Sequence, residues 1–99
     1  MHDALELPEP WCRPTDERAQ ALRREALLEI GLGHQLAGRR LTTLAVCEGC
    51  DDVLFRLDDG SFAIVHLTWT SRQESSPWPT TRRMASVPKL LQAAREHDH

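Results

Sequence analysis

The run from Val53 to Trp69 limits what this chain can fold into more than any other feature. Val53-Leu54-Phe55-Arg56-Leu57 and Phe62-Ala63-Ile64-Val65-His66-Leu67-Thr68-Trp69 flank Asp58-Asp59-Gly60. Two apolar runs around a three-residue loop with Gly at the left-handed position spell an antiparallel hairpin. Pairing Leu57 with Ser61 sets Phe55 opposite Ala63 and Val53 opposite Val65. One face then carries Val53, Phe55, Leu57, Ala63, Val65, Leu67 and Trp69, all apolar. A one-residue slip would scatter these side chains over both faces, so the pattern selects this register. That face is the expected core.

The second face carries Asp52, Leu54, Arg56, Phe62, Ile64, His66 and Thr68. It is too apolar for simple solvation and too polar for a core. Exposed patches of this kind mark partner or ligand surfaces. The alternative is cover by the N-terminal arm through Leu5, Leu7 and Trp11, and both readings stand at this stage.

The hairpin has helices on either side of it in sequence. Residues 1–14 hold Pro8, Pro10 and Pro14 around Trp11 and Cys12 and read as an extended arm pinned by Trp11. Thr15 is an N-cap, with Asp16 and Glu17 suited to the positive end of a helix dipole. Ala19, Leu22, Ala26 and Ile30 follow at helical spacing with Leu27 beside them, while Arg18, Arg23, Arg24, Glu25 and Glu29 cover the other side. The first helix spans 16–30, with Gly31 and Gly33 as a left-handed exit. Gly38-Arg39 turns into a strand at Leu41–Val46. Glu74 to Thr81 is a proline-punctuated loop centred on Trp78, and Arg82-Arg83-Met84 returns as a short edge strand. Ser86 caps a last helix with Val87, Leu90, Leu91 and Ala94 as its buried stripe. The expected fold is α+β: a three- to four-stranded antiparallel meander with an N-terminal and a C-terminal helix packed on one face. Residues 15–96 form its single domain, and 97–99 a frayed tail.

Size and charge narrow the function. Ninety-nine residues at 11.3 kDa make one domain, too small for a dinucleotide fold with a substrate domain. Net charge is −3, and the basic residues are scattered pairs such as Arg23-Arg24, Arg39-Arg40 and Arg82-Arg83. A nucleic-acid surface would show a basic stripe, and none is visible. No apolar run approaches the ~18 residues of a membrane span. Met1-His2-Asp3-Ala4 is not a signal-peptide start, and three cysteines do not make a disulfide framework. Cytoplasm is the expected compartment.

Four constellations could carry chemistry. Cys47-Glu48-Gly49-Cys50 has the spacing that aims two thiolates at one zinc ion, but no second pair completes four ligands. It opens a strand rather than a helix, which argues against thioredoxin-like redox use. His66-Leu67-Thr68 resembles the H-x-T motif of two-histidine phosphoesterases, which need two copies where this chain has one. Asp52 falls directly across from His66 in the register above. A carboxylate there can orient the imidazole as a general base, or simply satisfy a half-buried histidine. Trp69 reads as core packing, whereas Trp78 between two prolines is either a plug for its loop or an anchor for a partner.

Gly31-Leu32-Gly33-His34, Leu36-x-Gly38-Arg39, Cys50-Asp51-Asp52-Val53-Leu54-Phe55, Asp59-Gly60 and Val65-His66-Leu67-Thr68-Trp69 together resemble a family of small bacterial proteins of uncharacterised function. The resemblance covers roughly residues 15–84 and implies a compact bacterial cytosolic protein without importing an activity. Its pattern includes Cys50 and does not call for Cys47, which weakens the zinc pair. It draws attention to Asp51, Asp52, His66 and Trp69. The expected function is a non-catalytic interaction module with no cofactor, bound to a protein partner through Asp52, Arg56, Phe62, Ile64, His66 and Trp78. An exposed sheet edge offers a route to a homodimer. The alternatives are a small enzyme using His66 oriented by Asp52, and a structural zinc site at Cys47 and Cys50.

Overall fold

A computed structural model describes residues 7–9, 11–48, 52–74 and 78–96. In chain order the elements are β1 (Trp11–Cys12), α1 (Asp16–Glu29), β2 (Leu41–Cys47), β3 (Val53–Leu57), β4 (Phe62–His66), β5 (Thr80–Met84) and α2 (Val87–Glu96). The strands form one antiparallel sheet in the order of the chain. The fold is α+β, with the expected meander widened by β1. That two-residue strand belongs to the expected arm, whose residues 1–6 and 10 lie outside the described residues, and it sets Trp11 opposite Cys47.

The hairpin register is the one its apolar pattern selects. Val53 pairs with Val65 and Phe55 with Ala63. Gly60 takes φ 87°, and its N–H donates to Leu57 O at 2.9 Å, closing the loop. The α1 face of the sheet carries Leu41, Val46, Val53, Phe55, Leu57, Ala63, Val65 and Leu67, packed under Leu22 and Ala26 of α1. A bulge between Thr43 and Ala45 shifts the register of β2. It keeps Val46 on this face while turning Ala45 and Cys47 to the other.

The second face is not open. Leu54, Phe62, Ile64 and Met84 pack against Leu90, Ala93 and Ala94 of α2, and Trp11 and Leu7 of the arm close the same cluster. The two helices therefore lie on opposite faces of the sheet, where the sequence led to one face for both. The physical reason is in the strands themselves: Leu-Phe and Phe-Ala-Ile-Val are apolar in both parities, so each face needs cover. Burying Leu54, Phe62 and Ile64 is worth about 1.5–3 kcal/mol each. Phe62 and Ile64 are 7% and 6% exposed, so they cannot supply the exposed apolar area expected of a partner surface.

Both helices are capped as their sequences indicate. Thr15 Oγ1 accepts from Arg18 N at 3.2 Å, and Ser86 Oγ from Lys89 N at 3.4 Å. The buried stripe of α2 is Leu90, Ala93 and Ala94, with Val87 exposed. The buried stripe of α1 is Leu22, Glu25, Ala26 and Glu29. Leu27 and Leu28 face outward, and two glutamates expected on the solvated side are inside. Gly31 does not make the left-handed exit, because Ile30 leaves the helix in an extended conformation. Among the described residues the glycines at positive φ are Gly38 and Gly60.

Candidate functional site

The buried glutamates of α1 organise the segment that leaves β4. After Leu67 the chain turns out of the sheet, and Trp69 and Ser71 take φ 61° and 57°, a left-handed conformation unusual for side-chain-bearing residues. Glu29, fully buried, holds this turn. Its Oε1 accepts the Thr68 N–H at 2.8 Å and its Oε2 the Trp69 N–H at 2.7 Å. Glu25 holds Ser71, accepting its N–H at 2.8 Å and its hydroxyl at 3.0 Å. The Glu74 N–H donates to Glu29 O at 2.9 Å, and the Glu74 carboxylate accepts the Thr68 and Thr70 hydroxyls. Gly31 permits this docking: a Cβ there would lie 3.0 Å from Gln73 Nε2 and 3.1 Å from Glu74 O.

Glu25 and Glu29 stand one turn apart on the buried stripe of α1, and their titration separates. A hydrogen bond from Glu29 holds the Glu25 carboxyl below the ordinary glutamate range, with the Ser71 donors adding to it. Burial pushes Glu29 above that range, and Glu25 pushes it further. The Thr70 hydroxyl holds Glu74 low.

The far end of the same segment is held by His34. Its Nδ1 accepts the Leu36 N–H at 3.0 Å, which places the proton on Nε2, and Nε2 donates to Pro79 O at 2.7 Å. Thr81 Oγ1 donates to the same carbonyl at 2.9 Å. The Trp78–Pro79 peptide bond is cis, and Pro79 is buried. Between these anchors the loop presents two large indoles: Trp69 is 51% and Trp78 50% exposed. Trp69 is thus outside the core to which its parity assigned it. The reason is that β4 ends at His66, and Glu29 captures the next backbone amides before Trp69 can continue the pleat.

The sequence-selected residues divide between three places. Asp52 and His66 meet: His66 Nδ1 donates to Asp52 Oδ1 at 2.5 Å, with the imidazole mostly exposed and the carboxylate mostly buried. Asp52 O also accepts the Cys47 N–H at 2.8 Å, closing the turn from β2 to β3. Phe62 and Ile64 lie beneath α2, and Arg56 is exposed beyond its cover. Trp78 stands on the clamped loop. Cys47 is fully buried, whereas Cys50 and Asp51 lie outside the described residues. No group of three or more His, Cys, Asp or Glu suited to a metal ion occurs among the described residues.

The Asp52–His66 geometry fixes one imidazole tautomer and leaves Nε2 as an acceptor with no protein partner among the described residues, an arrangement that suits a general base. Surface depressions of about 430 and 410 Å3 run along α1 and the edge of β2 and over the outer face of α1, and His66 lines neither. Glu25 and Glu29 were the residues that pattern reading missed. The signal was present: 22, 25, 26 and 29 are the i, i+3, i+4, i+7 positions of one helix stripe. No family model, curated protein or solved structure matches the chain. Among the described residues no helix is long and apolar enough to cross a membrane.

Proposed function

We propose that this protein is a non-catalytic interaction module, and that its contact surface is the loop from Thr68 to Trp78. The observation that carries the proposal is a pair of half-exposed tryptophans on a loop held at both ends by buried polar bonds. An indole offers 150–250 Å2 of apolar area on two rotatable bonds, which is why tryptophan anchors so many interfaces. Holding the loop before a partner arrives removes much of the ordering cost of association. The partner is a protein with apolar recesses for the indoles, and no basic stripe supports nucleic acid. His66 and Arg56 supply polar contacts outside the covered part of the sheet. The compartment the reading carries is the cytoplasm of a bacterial cell, as the sequence resemblance implies.

A homodimer through a sheet edge would use β5, where exposed Arg82 and Arg83 oppose pairing with a second copy. Trp69→Ala and Trp78→Ala should each leave the thermal midpoint within a few degrees while abolishing co-purification of the partner from source cells. Retention of the same partner by the double variant would overturn the proposal. The 2.5 Å Asp52–His66 contact favours a second reading, in which His66 acts as an acid or base. That reading requires a turnover that His66→Gln abolishes and Trp78→Ala does not.

A further inference from the structure

We infer that Glu25 and Glu29 hold a single shared proton and form a proton-dependent latch on the loop that displays Trp69. The inference gives a regulatory property to the surface proposed above and rests on that reading for its biological consequence.

The placement of the two carboxyls supports a shared proton. Glu25 and Glu29 stand one helical turn apart on the buried stripe of α1, each inside the protein and each bonded to the same turn of loop. Two carboxylates one turn apart inside the protein repel each other when both are charged and no cation lies between them, and a single proton, kept by one and donated to the other, relieves that repulsion. Among the described residues no Lys or Arg forms an ion pair with either carboxylate. The sheet face beneath α1 is apolar, and the buried stripe of α1 carries no charged residue besides the two glutamates. The loop contributes the N–H groups of Thr68, Trp69 and Ser71, with the Glu74 carboxylate on the Thr68 and Thr70 hydroxyls and Arg72 near Glu74. The segment after α1 contributes His34, whose ring nitrogens are both engaged elsewhere.

Burial makes Glu29 the member that keeps the proton. When it gives up that proton to solvent, a second negative charge appears in the pair and the hydrogen bond between the carboxyls is lost. The low-cost escape is outward movement of the loop, whose Trp69 and Ser71 then relax from their left-handed conformations. The latch therefore holds between the pH at which Glu25 takes up a proton and the pH at which Glu29 gives its own up, and opens above that window.

The test is carboxyl 13C NMR on the full chain across the pH range, with the amides of Thr68, Trp69 and Ser71 followed in parallel. Glu29 should titrate above the ordinary glutamate range and Glu25 below it, and the three amides should move with Glu29. In Glu29→Gln, which carries no titrating proton, that amide transition should vanish. Ordinary titration of both carboxyls in the wild type would overturn the latch, as would survival of the amide transition in Glu29→Gln. If the variant does not fold, the wild-type carboxyl titrations decide alone. These readouts need no partner, so a failed latch is distinguishable from a failed binding surface, which the Trp69→Ala and Trp78→Ala captures report.

Discussion

Glu29 illustrates how one residue can serve three structural demands. It terminates a strand by taking two backbone amides, it fills a position on the buried stripe of a helix, and it holds Trp69 in a conformation that residue would otherwise avoid. Glu29→Ala leaves the Thr68 and Trp69 N–H groups without acceptors, and each such orphan costs ~1–3 kcal/mol. A loss of about 2–5 kcal/mol is expected from urea unfolding, with the larger effect confined to the loop in amide exchange. Gly31→Ala should cost about 1–3 kcal/mol, because its methyl group meets the Glu74 carbonyl and Gln73. The pH dependence has two limbs. Glu25, held low, contributes stability that is present above the ordinary glutamate range and lost as pH falls through its folded value. Glu29, held high, contributes stability that is complete below the ordinary range and lost as pH rises through its folded value. Thermal midpoints of the wild type should therefore decline on the alkaline side, and Glu29→Gln should flatten that limb.

At the scale of elements, the central hairpin was legible because two independent signals agree there. The Asp-Asp-Gly loop sets the turn and the alternation of Val53, Phe55, Ala63 and Val65 sets the register. The partner of His66 followed from the same register, and Asp52 is found bonded to it. What alternation could not say is which body covers the second face. Leu54, Phe62 and Ile64 read equally as an exposed patch or a second core, and only the position of α2 in space decides. Glu25 and Glu29 were obscured for a different reason: charged residues are almost never buried without partners, and their partners lie some forty residues further along the chain. Two substitutions check the placement of α2. Ile64→Asp puts a carboxylate beneath the helix and should prevent folding or cost more than ~4 kcal/mol in denaturant titration. Val87→Asp, on the exposed side of the same helix, should stay within about 0.5 kcal/mol of the wild type.

The whole molecule is a sheet clothed on both faces, with helix α1 on one side and α2 with the N-terminal arm on the other. That arrangement leaves the two broad apolar faces committed to the interior, and the proposed contact surface lies on the loop between β4 and β5. Among its described residues, Thr68 to Ser71 are held by Glu25 and Glu29 and Pro79 by His34, and Trp69 and Trp78 are half exposed. The most direct check on this arrangement is hydrogen exchange of individual amides in the intact chain, at a pH between the titrations of Glu25 and Glu29, where the latch is closed. Thr68, Trp69 and Ser71 should be protected to a degree comparable with Phe55 and Val65 in the core strands, despite lying in a loop whose tryptophans are open to solvent. Exchange of these amides at the rate of an unstructured peptide would contradict the clamped loop, and with it the surface on which the proposed function depends.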